Sequence, residues 1–255
     1  MFSQALVRTP APSLVSGITS SSHLGACDYL LACQQHEGYI QALKQCGLEV
    51  TVLPALDDFP DACFVEDVAL LTAKGAVLTR PGAASRQGEV EYISKTVQQF
   101  YPDNYRTIES PGSLEAGDVL QVDGHFYIGL SARTNAEGAR QLSQILQDWG
   151  YTASSVPLRE FLHLKTGVSY LGQDCLVLAA ELIHAPQFAE YRHIILPPEE
   201  DYAANCLAIN GTVIIPEGFN TAQKRIEQAG FVTLPIPMSE FRKLDGGLSC
   251  LSLRF

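Results

Sequence analysis

The residues able to do chemistry fall in five short stretches: Phe64-Val65-Glu66-Asp67, Leu114-Glu115-Ala116-Gly117-Asp118, His163-Leu164-Lys165-Thr166, Ala203-Ala204-Asn205-Cys206 and Asp245-Gly246-Gly247-Leu248-Ser249-Cys250. Together they hold carboxylates, a histidine and a thiol. Thiol catalysis needs the thiolate as nucleophile and an acid to protonate the departing group. Cys250, His163 and Glu115 supply those parts if folding brings them together. Taken singly, each has a plainer reading. A lone cysteine in an apolar strand is usually a small buried hydrophobe, and that reading is given to Cys27, Cys33, Cys46, Cys63, Cys175 and Cys206. His163 alone would more often be a hydrogen-bonded structural residue, and Glu115 and Asp118 turn-capping carboxylates. Their shared position in a repeated pattern favours the functional reading.

Asp61, Glu66 and Asp67 concentrate three carboxylates around apolar Phe64-Val65. Carboxylates that end up partly buried need a positive partner. A guanidinium is planar with several donors and suits them well. Arg86 and Arg133 follow second strands of the repeat, where each can grip a carboxylate with two bonds, although isolated arginines are more often solvated.

These stretches open a unit that recurs along the chain: an apolar run, a tight turn, a second apolar run, a helical stretch, and a short run ending at proline. Hairpins are expected from Asp67 to Thr79, Asp118 to Ile128, Gly167 to Leu178 and Cys206 to Ile215. Asp123-Gly124 and Asn210-Gly211 sit at two of the turns, and both pairs tolerate the positive φ of a type I′ turn. Helices are expected over 87–100 and 135–149, with Asn135 as N-cap and Gly150 as stop, and further ones near 34–46 and 221–229. Closing runs at 50–54, 105–111, 151–157, 194–197 and 231–235 make five units. A last strand over 247–253 has no partner after it. Ala5 to Pro10 resembles the second strand Ala76 to Pro81, so the first and last segments should pair and close a ring, which removes exposed sheet edges. The expectation is a single α/β domain of about five ββαβ units, residues 1–255.

With 255 residues, 46% of them hydrophobic, the chain can bury a large core. No stretch approaches the roughly 20 apolar residues that span a bilayer, so no membrane role is expected. The start of the chain lacks a basic segment followed by an apolar run, which makes the cytoplasm the expected location. Seven scattered cysteines form neither the CxxC pairs of a zinc site nor a disulfide scaffold. A net charge of -11, from 17 Lys and Arg against 28 Asp and Glu, argues against nucleic acid as a partner. It is compatible with a small cationic substrate.

The motifs Arg8-Thr9-Pro10, Ser22-His23-Leu24-Gly25, Phe64-Val65-Glu66-Asp67, Thr79-Arg80-Pro81-Gly82, Glu115-Ala116-Gly117-Asp118, Ala132-Arg133-Thr134-Asn135, His163-Leu164-Lys165-Thr166, Tyr202 to Cys206 and Asp245 to Cys250, in this order, resemble the dimethylarginine dimethylaminohydrolase family, and its short bacterial members in particular. The resemblance runs nearly end to end. It implies the pentein fold, a five-bladed α/β propeller. It also implies hydrolysis of Nω,Nω-dimethyl-L-arginine or Nω-monomethyl-L-arginine to citrulline and the methylamine, with no cofactor and no metal. By the same resemblance Cys250 is the nucleophile, His163 the general acid and base, and Glu115 its orienting carboxylate. Asp61, Glu66 and Asp67 match positions that bind the guanidinium; Arg86 and Arg133 match those that hold the substrate α-carboxylate. The backbone carbonyls of Ile18 and Leu244 match those that receive the α-amine. A homodimer is the assembly the family suggests. The rival readings are deimination of free arginine, an amidinotransferase, and a non-catalytic binding module for a cationic amino acid. Deiminases of this superfamily carry a helical insertion that 255 residues leave no room for.

Overall fold

The computed structural model describes residues 1–255. It divides into two compact units, one of Met1–Val65 with Asn205–Phe255 and one of Glu66–Ala204.

The first unit holds two three-stranded sheets. In one, Gln4–Arg8 lies between Leu253–Arg254, antiparallel, and Glu49–Leu53, parallel. The pairing of Ala5 with Arg254 and Leu6 with Leu253 is the expected junction of first and last segments. In the other, Leu207–Ile209 and Thr212–Pro216 form a hairpin, and Val232–Ile236 adds in parallel. The turn between them has Asn210 at φ 49° and Gly211 at φ 92°, both in the left-handed region that this turn requires.

The second unit holds three sheets of the same plan: Ala69–Leu71, Ala76–Leu78 and Tyr105–Thr107; Val119–Val122, His125–Leu130 and Thr152–Pro157; Val168–Gly172, Cys175–Leu178 and Arg192–Ile195. Each is an antiparallel hairpin followed by a parallel strand, and a parallel strand needs a crossover to reach it. Helices Tyr29–Gln45, Glu89–Phe100, Ala136–Asp148 and Asn220–Gln228 make four of the five crossovers. As expected, the Asn135 side chain caps its helix by accepting from Gly138 N at 2.8 Å. The first helix begins earlier than expected, because Asp28 caps it in the same way through Leu31 N.

The fifth crossover departs from the repeat. Between Leu178 and Arg192 the chain makes two 3-10 turns, Ala180–His184 and Pro186–Phe188, in place of an α-helix. Pro186 lacks an N–H and its ring would clash inside a helix spanning this stretch, so the chain turns twice instead.

A second departure concerns the chemistry-bearing stretches. They were expected to begin the first strands, yet each forms a helical turn just before its strand: Val65–Val68, Ala116–Asp118, Leu164–Gly167, Pro198–Ala204 and Ser249–Leu251. Their polar groups are engaged outside any sheet ladder. Asp67 O accepts from Thr79 Oγ1, Asp118 Oδ1 accepts from Leu164 N, and Ser249 N donates to Asn205 Oδ1. Such side-chain bonds compete with strand pairing.

Packing holds these turns in place. The helix Ala136–Asp148 buries Ala139, Leu142 and Leu146, a stripe at the 3.6-residue period, in a cluster with Val77, Phe126 and Ile128. Leu142→Ala is therefore expected to destabilise the chain by about 2–5 kcal/mol, read from urea unfolding.

Candidate active site

In the second unit the central contact is between His163 and Glu115. His163 sits at the N-terminal end of the turn Leu164–Gly167, and its Nε2 lies 2.7 Å from Glu115 Oε2. Glu115 has no exposed surface. Its other oxygen accepts from Ala83 N at 3.0 Å and lies 3.3 Å from Arg133 Nη1. Burial alone would raise the Glu115 pKa. The hydrogen bond and charge of His163, the Arg86 charge and the Ala83 N–H outweigh that and hold it well below the usual carboxylate range.

Burial disfavours the charged form of His163 as well. The opposing Asp67 charge, the bond to Glu115 and the charges of Asp118 and Glu115 win, and bring its pKa up to about 9. The carboxylates around His163 thus favour its imidazolium form, a proton donor held in place by Glu115. Asp67 Oδ1 lies 3.9 Å from His163 Nδ1 and accepts from Gly117 N at 3.2 Å. Gly117 is required by this approach: a Cβ there would stand 2.7 Å from Asp67 Oδ1 and 2.8 Å from His163 Nδ1.

The guanidinium-binding and carboxylate-binding candidates in this unit are paired with each other, with Glu115, or with residues that the sequence did not single out. Arg86 Nη1 meets Asp67 Oδ2 at 2.5 Å, and its Nε and Nη2 fork onto Glu89 at 3.0 and 2.8 Å. Despite full burial, these charges raise the Arg86 pKa further, so the group stays cationic. Glu66 pairs with Lys165 at 2.7 Å. Asp118 accepts from Ser131 Oγ at 2.7 Å and Leu164 N at 2.9 Å, and burial raises its pKa. Glu89 and Lys165 were missed; the only signal for Glu89 is its i+3 spacing from Arg86. The ligand atoms of Asp67, Glu115 and His163 lie within 4.8 Å of one another, a spacing that could hold a metal ion. A cation there would have to displace or outweigh the positive charges of Arg86, Arg133 and His163.

In the first unit, Ile18, Asp61 and Leu244 come together. Ile18 N donates to Asp61 Oδ1 at 3.0 Å, and a Cβ at Gly17 would lie 2.9 Å from that oxygen and 3.6 Å from Leu244 Cδ2. The segment after Ile18 is stitched to that around Leu244: Thr19 Oγ1 donates to Lys243 O, and Ser20 and Ser21 donate to the Asp245 carboxylate. The serines opposite Asp245 were the available signal for this pairing. Cys250, partly exposed, lies in the turn Ser249–Leu251, and Gly247 N donates to its sulfur at 3.4 Å.

The family model described as N,N dimethylarginine dimethylhydrolase, eukaryotic, matches residues 29–248. The chain belongs to the dimethylarginine dimethylaminohydrolase family. It is 51% identical to the N(G),N(G)-dimethylarginine dimethylaminohydrolase of Pseudomonas aeruginosa over 255 residues, covering 100% of both chains. Among solved structures, a cysteine-to-serine variant of the Pseudomonas aeruginosa enzyme complexed with citrulline matches with a TM-score of 0.99 at 50% identity, covering 100% of each chain. A histidine-to-glycine variant of a dimethylarginine dimethylaminohydrolase, as its adduct with S-methyl-L-thiocitrulline, matches at 0.98 and 50%, again covering 100% of each. The fold class follows: the α/β propeller of pentein type. No helix of this family member is long and apolar enough to cross a membrane.

The raised His163 pKa has a signed consequence for stability. Lifted from 6.5 to about 9, it favours the charged form in the folded chain, so its contribution is fully present below pH 6.5 and lost as pH rises through about 9. The difference in urea midpoint between the parent chain and His163→Gln is expected to shrink across that window. A constant difference would show that the histidine is not held protonated.

Proposed function

We propose that this chain hydrolyses Nω,Nω-dimethyl-L-arginine, and Nω-monomethyl-L-arginine, to L-citrulline and the methylamine, with Cys250 as nucleophile. The observation that carries the reading is the buried His163–Glu115 pair at 2.7 Å, which orients the imidazole and favours its proton-donating form. The full-length match to an enzyme solved with citrulline supports the substrate class.

In this reading the Cys250 thiolate attacks the guanidinium carbon. His163 gives its proton to the dimethylamine nitrogen as the carbon–nitrogen bond breaks, leaving a thiouronium on sulfur. Water then attacks the same carbon while neutral His163 takes its proton. Collapse expels the thiolate and leaves the ureido group of citrulline, the hydroxyl proton passing to solvent, where the released amine takes one up. Every proton given in the first half returns in the second, so the cycle needs no cofactor. Glu115 keeps the imidazole oriented and favours its charged form. Asp61, Glu66 and Asp67 take the guanidinium, Arg86 and Arg133 the α-carboxylate, and the carbonyls of Ile18 and Leu244 the α-amine. The five units act as one catalytic domain. Its proposed setting is the cytoplasm and its proposed assembly a homodimer.

The test is citrulline release from asymmetric dimethylarginine and, separately, from arginine. Release from the methylated substrate is expected, with none from Cys250→Ser. Glu115→Gln should lower kcat about 10²-fold or more, the scale of general acid–base catalysis. Citrulline mainly from arginine would move the assignment to a deiminase. No citrulline from either would leave the binding-module reading.

A further inference from the structure

The turn that carries Cys250 has little regular structure of its own, yet two side chains from distant segments and one from just beyond it hold its backbone. Tyr39 Oη, in the helix Tyr29–Gln45, donates to Leu248 O at 2.9 Å. Arg254 Nη1 donates to Ser249 O at 3.0 Å. Asn205 does more than either. Its Oδ1 accepts from Ser249 N at 2.9 Å, and its Nδ2 donates to Ser249 Oγ at 3.1 Å.

Asn205 also lies under Gly247. A Cβ on Gly247 would fall 2.4 Å from Asn205 Cγ, so only glycine lets the backbone rest on the carboxamide. Gly247 is the residue whose N–H faces the Cys250 sulfur, and its carbonyl accepts from Cys250 N at 3.2 Å. One side chain therefore supports the turn at Gly247 and grips it at Ser249. The sulfur's own N–H donor and the residue next to the thiol are set by the same group. Asn205 is only 5% exposed, so water competes little for these bonds.

We propose that Asn205 is the positioning residue of the nucleophile, holding the Gly247–Cys250 turn in the shape that aims the thiol and keeps the Gly247 N–H on its sulfur. A nucleophile must sit near its attack geometry, and a displacement of about 1 Å at such a site costs on the order of 10²-fold in rate. The inference rests on Cys250 being the nucleophile, as proposed above.

The experiment compares the parent chain with Asn205→Ala and Asn205→Asp, each first shown to be folded by circular dichroism. It measures kcat and KM for asymmetric dimethylarginine, and the rate at which iodoacetamide modifies Cys250, read by peptide mass mapping. Alanine removes both grips and is expected to lower kcat about 30-fold or more, with KM within about threefold, and to slow Cys250 modification. Aspartate keeps an acceptor for Ser249 N and should recover kcat to within about fivefold of the parent, a rescue that loss of packing alone would not give. An alanine variant with kcat within threefold of the parent would overturn the proposal, as would aspartate failing to rescue. If alanine does not fold, Ser249→Ala carries the test, because it removes only the hydroxyl gripped by Nδ2. A kcat loss of threefold or more at unchanged KM supports positioning, and an unchanged kcat overturns it. Should the parent chain release no citrulline, the activity reading fails separately, and the Cys250 modification rates alone decide this inference.

Discussion

A carboxylate with no exposed surface must be compensated, and around Glu115 that requirement organises much of the second unit. Its two oxygens receive His163, Ala83 N and Arg133, which come from three separate segments. His163 in turn lies near Asp67, whose second oxygen belongs to Arg86, whose Nε and Nη2 donate to Glu89. Removing one partner from such a chain leaves a buried charge uncompensated, which costs more than the lost contact. The network therefore has few alternative arrangements, and its carboxylates shift the histidine toward its charged form.

The same construction suits the proposed chemistry. An imidazole in water is a good general base near neutrality but is a donor only in its minor charged form. Surrounded by Asp67, Glu115 and Asp118 it becomes a donor by default. In the proposed reaction the leaving amine needs such a donor, and the proton's return from water would regenerate it. In the first unit the order of causes differs. Cys250 is presented by hydrogen bonds to backbone, from Asn205, Tyr39 and Arg254, rather than by a net of charges.

Each of the five sheets is entered through a short helical turn, and the chemistry-bearing stretches occupy those turns. A helical turn projects polar side chains in directions that a strand, with its alternation of two faces, does not offer. That is why acids, a histidine and a thiol recur at one point of the repeat while the strands that follow are almost wholly apolar.

Much of this was legible beforehand. Apolar runs broken by Asp123-Gly124 and Asn210-Gly211 located the hairpins, and Asn135 located a helix start, because these signals act within a few residues. The five-fold recurrence, with the last segment pairing to the first, was likewise readable from the strand that lacked a partner. Local pattern could not tell that Asp67, Asp118 and Cys250 lie in turns, since the groups that pull them out of a ladder are Thr79, Leu164 and Gly247 with Asn205. Nor could it find Glu89 beneath Arg86, Lys165 on Glu66, or the grip of Asn205 on Ser249. Sequence by itself determined the repeat, the fold class and the residue types available for catalysis, because periodicity and turn chemistry are short-range. The tertiary structure decided which carboxylate meets which cation and which acids surround His163, because burial and charge pairing depend on segments tens of residues apart.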